Sequence, residues 1–140
     1  MLRSKLVERD SLERALVDFF AADASSLAAV YLFGSFARGS AGPRSDVDVA
    51  VLYLREPPPT LAGLPLGVEA SLEARLGRPV QVIALNTAPP DLVHRVLRDG
   101  RLLLDLDRSA RIRFEVRSRN EYFDLEPVRR CYRRGRGAAA

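Results

Sequence analysis

The chain has 140 residues, 47% of them apolar, which is enough to build the core of one small domain. No apolar run approaches the ~18 residues needed to cross a bilayer, and a single cysteine and a single histidine exclude an internal disulfide and a zinc cluster. The net charge of +4 is uneven, because residues 108–140 carry +6 and residues 1–107 carry −2. The basic segment either favours an acidic or phosphate-bearing partner or only aids solubility.

The predicted elements alternate between helix and strand. Helices are expected where apolar residues recur every three or four positions, and strands where short apolar runs end at a glycine or proline. In chain order the pattern predicts a helix over 11–22 with Ser11 as its N-cap, a strand over 27–33, a helical turn over 36–39 and a strand over 47–54. Prolines 57–59 are expected to form a surface connection. A helix over 66–76, a strand over 79–85 and a helix over 90–99 are expected to follow. Residues 101–106 fit a strand or a turn leading into a helix, and a last helix is expected from 107 to about 122.

This order predicts one α/β (α+β) domain with a small central sheet flanked by helices. The domain is expected to cover residues 1–134, followed by a frayed tail at 135–140. The N-terminus lacks the apolar stretch of a secretory signal, so we expect a cytoplasmic protein with no membrane segment.

The segment GSFARGSAGPRSDVDVA, residues 34–50, carries the chemistry of the chain. Gly34 and Ser35 follow a predicted strand, where a glycine lets the backbone approach a phosphate and a serine hydroxyl adds a hydrogen bond. Asp46 and Asp48 lie two residues apart on the next predicted strand, so their side chains leave the same face. Two neighbouring carboxylates repel each other, and Mg²⁺ held by both of them and by substrate phosphates removes that conflict. The segment therefore predicts a site for a metal-bound nucleoside triphosphate.

The same residues resemble a known family. Gly34-Ser35, ten intervening residues and Asp46-Val47-Asp48 form the pattern of the DNA polymerase β-type nucleotidyltransferase superfamily. The fuller string GSFARG…SDVDVAVL, together with the Asn-x-Tyr-Phe-Asp sequence at 120–124, resembles the minimal nucleotidyltransferases, or MNT proteins. The resemblance covers essentially the whole chain and implies the small mixed sheet of the polymerase β-type fold.

Members of the MNT family act as antitoxins of HEPN-domain toxins, and some transfer AMP from ATP to a toxin tyrosine. The resemblance implies that Asp46 and Asp48 are catalytic and bind Mg²⁺, and that Gly34 and Ser35 hold the triphosphate. Arg38 and Ser45 lie in the matching motif and would support phosphate binding and loop shape. The implied partners are a HEPN toxin and a nucleoside triphosphate, in a homo- or hetero-oligomer, with nucleic acid poorly supported as a substrate.

One position departs from the superfamily pattern. A third carboxylate usually comes from the next strand, but the matching segment here reads Val-Gln-Val-Ile and puts Gln81 at that position. An amide is a weaker metal ligand than a carboxylate and cannot act as a base near neutral pH. Glu69, Glu73 and Asp91 are the nearest acids that could compensate.

Three functions remain open at this level. The first is a Mg²⁺-dependent adenylyltransferase that modifies a HEPN toxin, as a type VII-like antitoxin. The second is a catalytically weakened antitoxin that neutralises the toxin by binding, which Gln81 favours. The third is a small-molecule nucleotidyltransferase of the aminoglycoside-modifying kind, although such enzymes generally carry a further substrate-binding domain.

Overall fold

The structure is a computed structural model that describes residues 2–56 and 66–139. Five helices and four strands alternate along these residues. The helices are α1 (Leu2–Ala21), α2 (Ser35–Arg38), α3 (Leu66–Leu76), α4 (Pro90–Asp99) and α5 (Arg108–Ala139), and a 3₁₀ turn covers Leu85–Thr87. The strands are β1 (Leu27–Phe33), β2 (Val47–Tyr53), β3 (Val80–Ala84) and β4 (Arg101–Asp105).

The strands form one mixed sheet in the order β3-β2-β1-β4. β1 pairs antiparallel with both β2 and β4, whereas β2 pairs parallel with β3. The predicted α/β domain with a small mixed sheet is therefore confirmed, and residues 101–105 form a strand rather than a turn.

The sheet has an apolar core on each face. On one face, β1 and β2 side chains pack against α1 and α3, where Leu16 and Leu72 are fully buried. On the other face they pack against α4 and α5, where Val96 and Phe114 close the core. Residues of β2 alternate between the two faces, as a strand requires, with Val47, Val49 and Val51 on the first face and Ala50 and Leu52 on the second.

The outer edge of β3 is closed by side chains of α3. The backbone N–H of Val80 donates to Glu73 Oε1 at 3.1 Å, and the N–H of Val82 donates to Glu69 Oε1 at 2.9 Å. These bonds satisfy edge groups that would otherwise face solvent or another strand. Both glutamate side chains thus act as hydrogen-bond acceptors at the sheet edge.

Two helix predictions differ from the structure. α1 begins at Leu2, so Ser11 lies inside the helix and the prediction that it is an N-cap is wrong. Residues 2–10 are mostly good helix formers, and these extend the helix past a serine that looks like a start signal. Glu8 of this extension pairs with Arg78, which ties it to the body of the domain.

α5 continues well beyond Tyr122, through Pro127 to Ala139. Its helical backbone includes residues 135–139, which were predicted from the sequence to form a frayed tail. The domain boundary at residue 134 stays a prediction. The predicted connection at prolines 57–59 lies outside the described residues. No helix in the described ranges is both long and apolar enough to span a membrane.

Candidate functional site

A cleft of about 600 Å³ opens where β1, β2 and β3 meet α2 and α4. Its size falls within the ~300–1,000 Å³ typical of small-ligand sites. The described residues that line it are Phe33, Gly34, Ser35, Arg38, Ser45, Asp46, Asp48, Gln81, Leu92, Arg95 and Asp99. All seven residues singled out in the sequence as site or third-carboxylate positions are thus brought to one cleft.

Gly34 shapes the floor of the cleft. It follows β1 with φ 74° and ψ −155°, a conformation that side-chain-bearing residues rarely adopt. A Cβ at this position would lie 2.2 Å from Asp48 Oδ2, so the backbone and the carboxylate approach each other as closely as a glycine allows. The chain then turns directly into α2, which places Ser35 on the cleft wall.

Asp46 and Asp48 stand at the start of β2, one just before the strand and one inside it. Asp48 lies opposite Phe33 of β1, and alternation places it on the same sheet face as Ala50 and Leu52. That face packs against α4 and α5, which explains why α4 forms a wall of the cleft. Asp46 is exposed and Asp48 is half-buried.

Burial raises the pKa of Asp48, and the neighbouring Asp46 carboxylate raises it further. Arg38, at the end of α2, acts in the opposite direction and lowers this pKa. The ionised form of Asp48 is therefore disfavoured at the base of the cleft, and a bound cation would stabilise it. Paired carboxylates with this unmet charge fit a Mg²⁺ ion, which is commonly held by one or two carboxylates plus substrate phosphates.

Gln81 lies directly opposite Asp48 in the parallel pairing of β2 with β3. Residues in register share a face of the sheet, and Gln81 accordingly lines the cleft. Glu69 and Glu73 bind the outer edge of β3 and do not replace it. Within the described residues, no three His, Cys, Asp or Glu side chains form a metal-binding group. The amide thus stands beside the two aspartates, and the described part of the chain places no third carboxylate in a group with them.

The loop before β2 is held by its own hydrogen bonds. Ser45 Oγ accepts a bond from the Gly42 N–H at 2.7 Å, and the Ser45 N–H donates to the Gly42 carbonyl at 3.2 Å. Ser45 therefore shapes the loop that presents Asp46.

Sequence reasoning missed the wall supplied by α4. Leu92, Arg95 and Asp99 recur at i, i+3 and i+7, the spacing of one helix face, and all three line the cleft. Arg95 is exposed and adds a second guanidinium to that of Arg38, whereas Asp99 is bound by Arg98 at 2.9 and 3.0 Å. The spacing was visible in the sequence, but only the packing shows which face of α4 meets the cleft.

Comparison with known proteins agrees with this geometry. Residues 16–109 match the family described as polymerase beta, nucleotidyltransferase. The match covers more than half of the chain, so the chain belongs to the polymerase beta nucleotidyltransferase family, whose general activity is nucleotidyl transfer. No curated protein matches the chain in sequence.

Three solved structures with similar folds contain toxin–antitoxin complexes. A toxin–antitoxin with AMP-PNP is 24% identical, with a TM-score of 0.75 over 86% of this chain and 94% of that chain. The complex of MntA with HepT is 22% identical, with a TM-score of 0.69 over 88% and 94%. A tri-AMPylated HEPN toxin in complex with an MNT antitoxin, from Shewanella oneidensis, is 21% identical, with a TM-score of 0.71 over 89% and 94%. These likenesses confirm the predicted fold, and the similar structures contain proteins of the MNT kind that the sequence resembles.

Proposed function

We propose that the cleft binds ATP with Mg²⁺ and transfers AMP to a hydroxyl of a HEPN-domain partner, a tyrosine being the expected acceptor. The observation that carries this proposal is the meeting of the Gly34-Ser35 turn with Asp46 and Asp48 in one cleft of a nucleotidyltransferase family member. The solved relatives support the partner and the nucleotide, since they are a complex with AMP-PNP and a complex with an AMPylated HEPN toxin.

In this mechanism Asp46 and Asp48 would hold Mg²⁺, which when bound neutralises charge on the triphosphate and helps to position its α-phosphate. The Ser35 hydroxyl donates a hydrogen bond to a phosphate oxygen. Arg38 and Arg95 reach the cleft from α2 and α4 and pair with phosphate oxygens. Gly34 keeps the floor free of a side chain, so that the nucleotide can approach the carboxylates.

In the reaction the acceptor oxygen forms a bond to the α-phosphorus, and the bond from that phosphorus to the oxygen bridging the β-phosphate breaks. Pyrophosphate leaves with the electron pair of that bond. The acceptor hydroxyl also loses its proton, which passes to solvent water because the Gln81 amide cannot accept it near neutral pH. We therefore expect transfer to be slow compared with a site that has a carboxylate at this position.

The test is transfer of label from ATP radiolabelled at the α-phosphate, with Mg²⁺, to a co-expressed HEPN-domain protein. The Asp46→Asn/Asp48→Asn double variant should transfer nothing. Asp18→Asn, an exposed carboxylate change on α1, is the matched control and should transfer as the wild type does. An unlabelled partner in a complex that still forms would contradict the enzymatic proposal.

A binding antitoxin is the second candidate. It is favoured by Gln81 opposite Asp48 and by the absence of a third carboxylate beside the pair among the described residues. In that case the protein would bind ATP and its partner with no transfer, and the Asp46→Asn/Asp48→Asn variant would still neutralise toxicity in cells. Loss of neutralisation in that variant, with the complex intact, would favour the enzyme.

A further inference from the structure

The C-terminal helix α5 has two apolar faces, of which the fold uses one. Its inner face packs on the sheet and on α4: Phe114 is buried, and the Tyr122 ring stacks on His94 at 3.7 Å with an interplanar angle of 6°. Its outer face carries Ile112, Val116 and Phe123, which are 40%, 49% and 59% exposed. Spacings of four and seven residues place these three in one stripe along the helix.

The outer face is also positively charged. Arg108 and Arg119 fall on the same side of the helix as the stripe, and Arg113 lies at its flank. None of the three makes a hydrogen bond or ion pair with the part of the chain that the structure describes. Arg111, by contrast, turns inward and binds Asp105 and Glu115, each at 3.0 Å. Among the described residues, the guanidinium groups around the stripe thus have no carboxylate partner.

We propose that this face, the outer α5 stripe formed by Ile112, Val116 and Phe123 with Arg108 and Arg119, is the docking site for an acidic protein surface. The inference rests on the proposed function and assigns the stripe to the HEPN-domain partner. A row of exposed apolar side chains favours a protein interface, and arginines beside it favour a partner surface that carries carboxylates.

Other occupants fit the chemistry less well. Nucleic acid would accept the arginines but would leave the aliphatic side chains of Ile112 and Val116 without an apolar surface to bury against. A second copy of this chain would bring the same arginines face to face, where like charges repel. A partner surface that is apolar at its centre and carries Asp or Glu around it can contact both the apolar side chains and the arginines of the stripe.

The stripe shares no residue with the cleft, so partner binding and nucleotide binding can be measured separately. The test variant is Val116→Asp/Phe123→Asp, which replaces two exposed apolar side chains by charges that the partner would repel. The matched control is Val7→Asp on α1, which is 61% exposed and lies outside the stripe. The second variant, Arg108→Glu/Arg119→Glu, reverses two charges and leaves the apolar side chains of the stripe in place. It keeps the test usable if the first variant does not fold.

Affinity for the purified HEPN-domain partner and for ATP would be measured by titration calorimetry. Both stripe variants should bind the partner about 10- to 100-fold more weakly and bind ATP as the wild type does. The Val7→Asp control should bind both normally.

Wild-type partner affinity in the stripe variants, or an equal loss in Val7→Asp, would overturn the docking site and leave the proposed function standing. A wild-type protein that binds no HEPN partner would overturn both. A dimer of this chain, or a bound RNA, that the stripe variants release while partner binding stays intact would overturn the assignment to the partner.

Discussion

At the scale of single residues, the geometry of the cleft depends on the contact between Gly34 and Asp48. The motif pattern identified both residues from the sequence, because a glycine after a strand and two aspartates at alternating positions are local signals. Their distance is not a local property, since the two are joined only through the pairing of β1 with β2. This contact and the electrostatics around it lead to two predictions.

Gly34→Ala should abolish ATP binding and lower the free energy of unfolding. The new Cβ would meet the Asp48 carboxylate at 2.2 Å, in addition to the strain of a φ of 74°. Gly39→Ala is the matched control, because Gly39 has a φ of 77° but open space around its Cα. The control should lose about 1–2 kcal/mol of stability and retain ATP binding. Urea denaturation and calorimetry check both variants, and equal effects on ATP binding would contradict a specific role for the Gly34–Asp48 contact.

Asp48→Asn should raise stability at pH 7 while abolishing nucleotidyl transfer. The pKa of Asp48 is raised above its ordinary 3.8 in the folded state by burial and by Asp46. The protonated carboxyl of Asp48 therefore contributes stability below pH 3.8. This contribution is lost as the pH rises through the raised pKa. Thermal melts without Mg²⁺ should show that Asp48→Asn raises the melting temperature at pH 7 and has little effect on it near pH 3. A destabilised Asn variant at pH 7 would contradict this reading.

At the scale of elements, the register of β3 against β2 decides what faces the two aspartates. The sequence predicted both strands, but a slip by one residue would have turned Gln81 to the opposite face. The observed pairing of Gln81 with Asp48 removes that ambiguity. The same strand explains Glu69 and Glu73, whose side chains accept its edge N–H groups. Elements were predictable from local periodicity, whereas register required the hydrogen-bonded sheet.

Gln81→Asp should increase the rate of AMP transfer, if the proposed reaction is limited by the missing carboxylate. A base positioned beside the acceptor contributes about 10²–10⁴-fold in rate. The same change should lower stability without Mg²⁺, because a third carboxylate joins the two aspartates. Single-turnover label transfer would measure the rate, with Gln81→Asn as an amide-preserving control. An unchanged rate in Gln81→Asp would show that the carboxylate is not limiting.

At the scale of the whole molecule, a polar network fixes α5 to the sheet. The Tyr31 hydroxyl on β1 donates to Glu115 Oε1 at 2.7 Å, and Arg111 binds both Glu115 and Asp105 of β4. Burial and this hydrogen bond raise the pKa of Tyr31, so its hydroxyl remains a donor at all ordinary pH values. The network sets which face of α5 meets the sheet and which face remains outside.

Glu115→Ala should destabilise the protein by about 1–3 kcal/mol, because it leaves the Tyr31 hydroxyl without its acceptor and removes one of the two carboxylates that bind Arg111. Tyr31→Phe removes a donor and its bond together and should cost about 0.5–1.5 kcal/mol. The double variant should lose less than the sum of the two, since they share one interaction. Urea denaturation gives the three values, Glu115→Gln serves as the acceptor-preserving control, and strict additivity would contradict the coupling.

The sequence by itself determined the alternation of elements, the family pattern and seven of the residues that line the cleft, because these follow from local periodicity and from a short motif. It misjudged the start of α1 and the end of α5, since helix ends depend on contacts such as that of Glu8 with Arg78 as well as on capping signals. Only the tertiary structure decided that Gln81 faces Asp48, that Arg95 and Asp99 wall the cleft, and that α5 keeps an apolar stripe outside. These are relations between segments distant in the chain, set by strand register and helix packing, and no local pattern contains them.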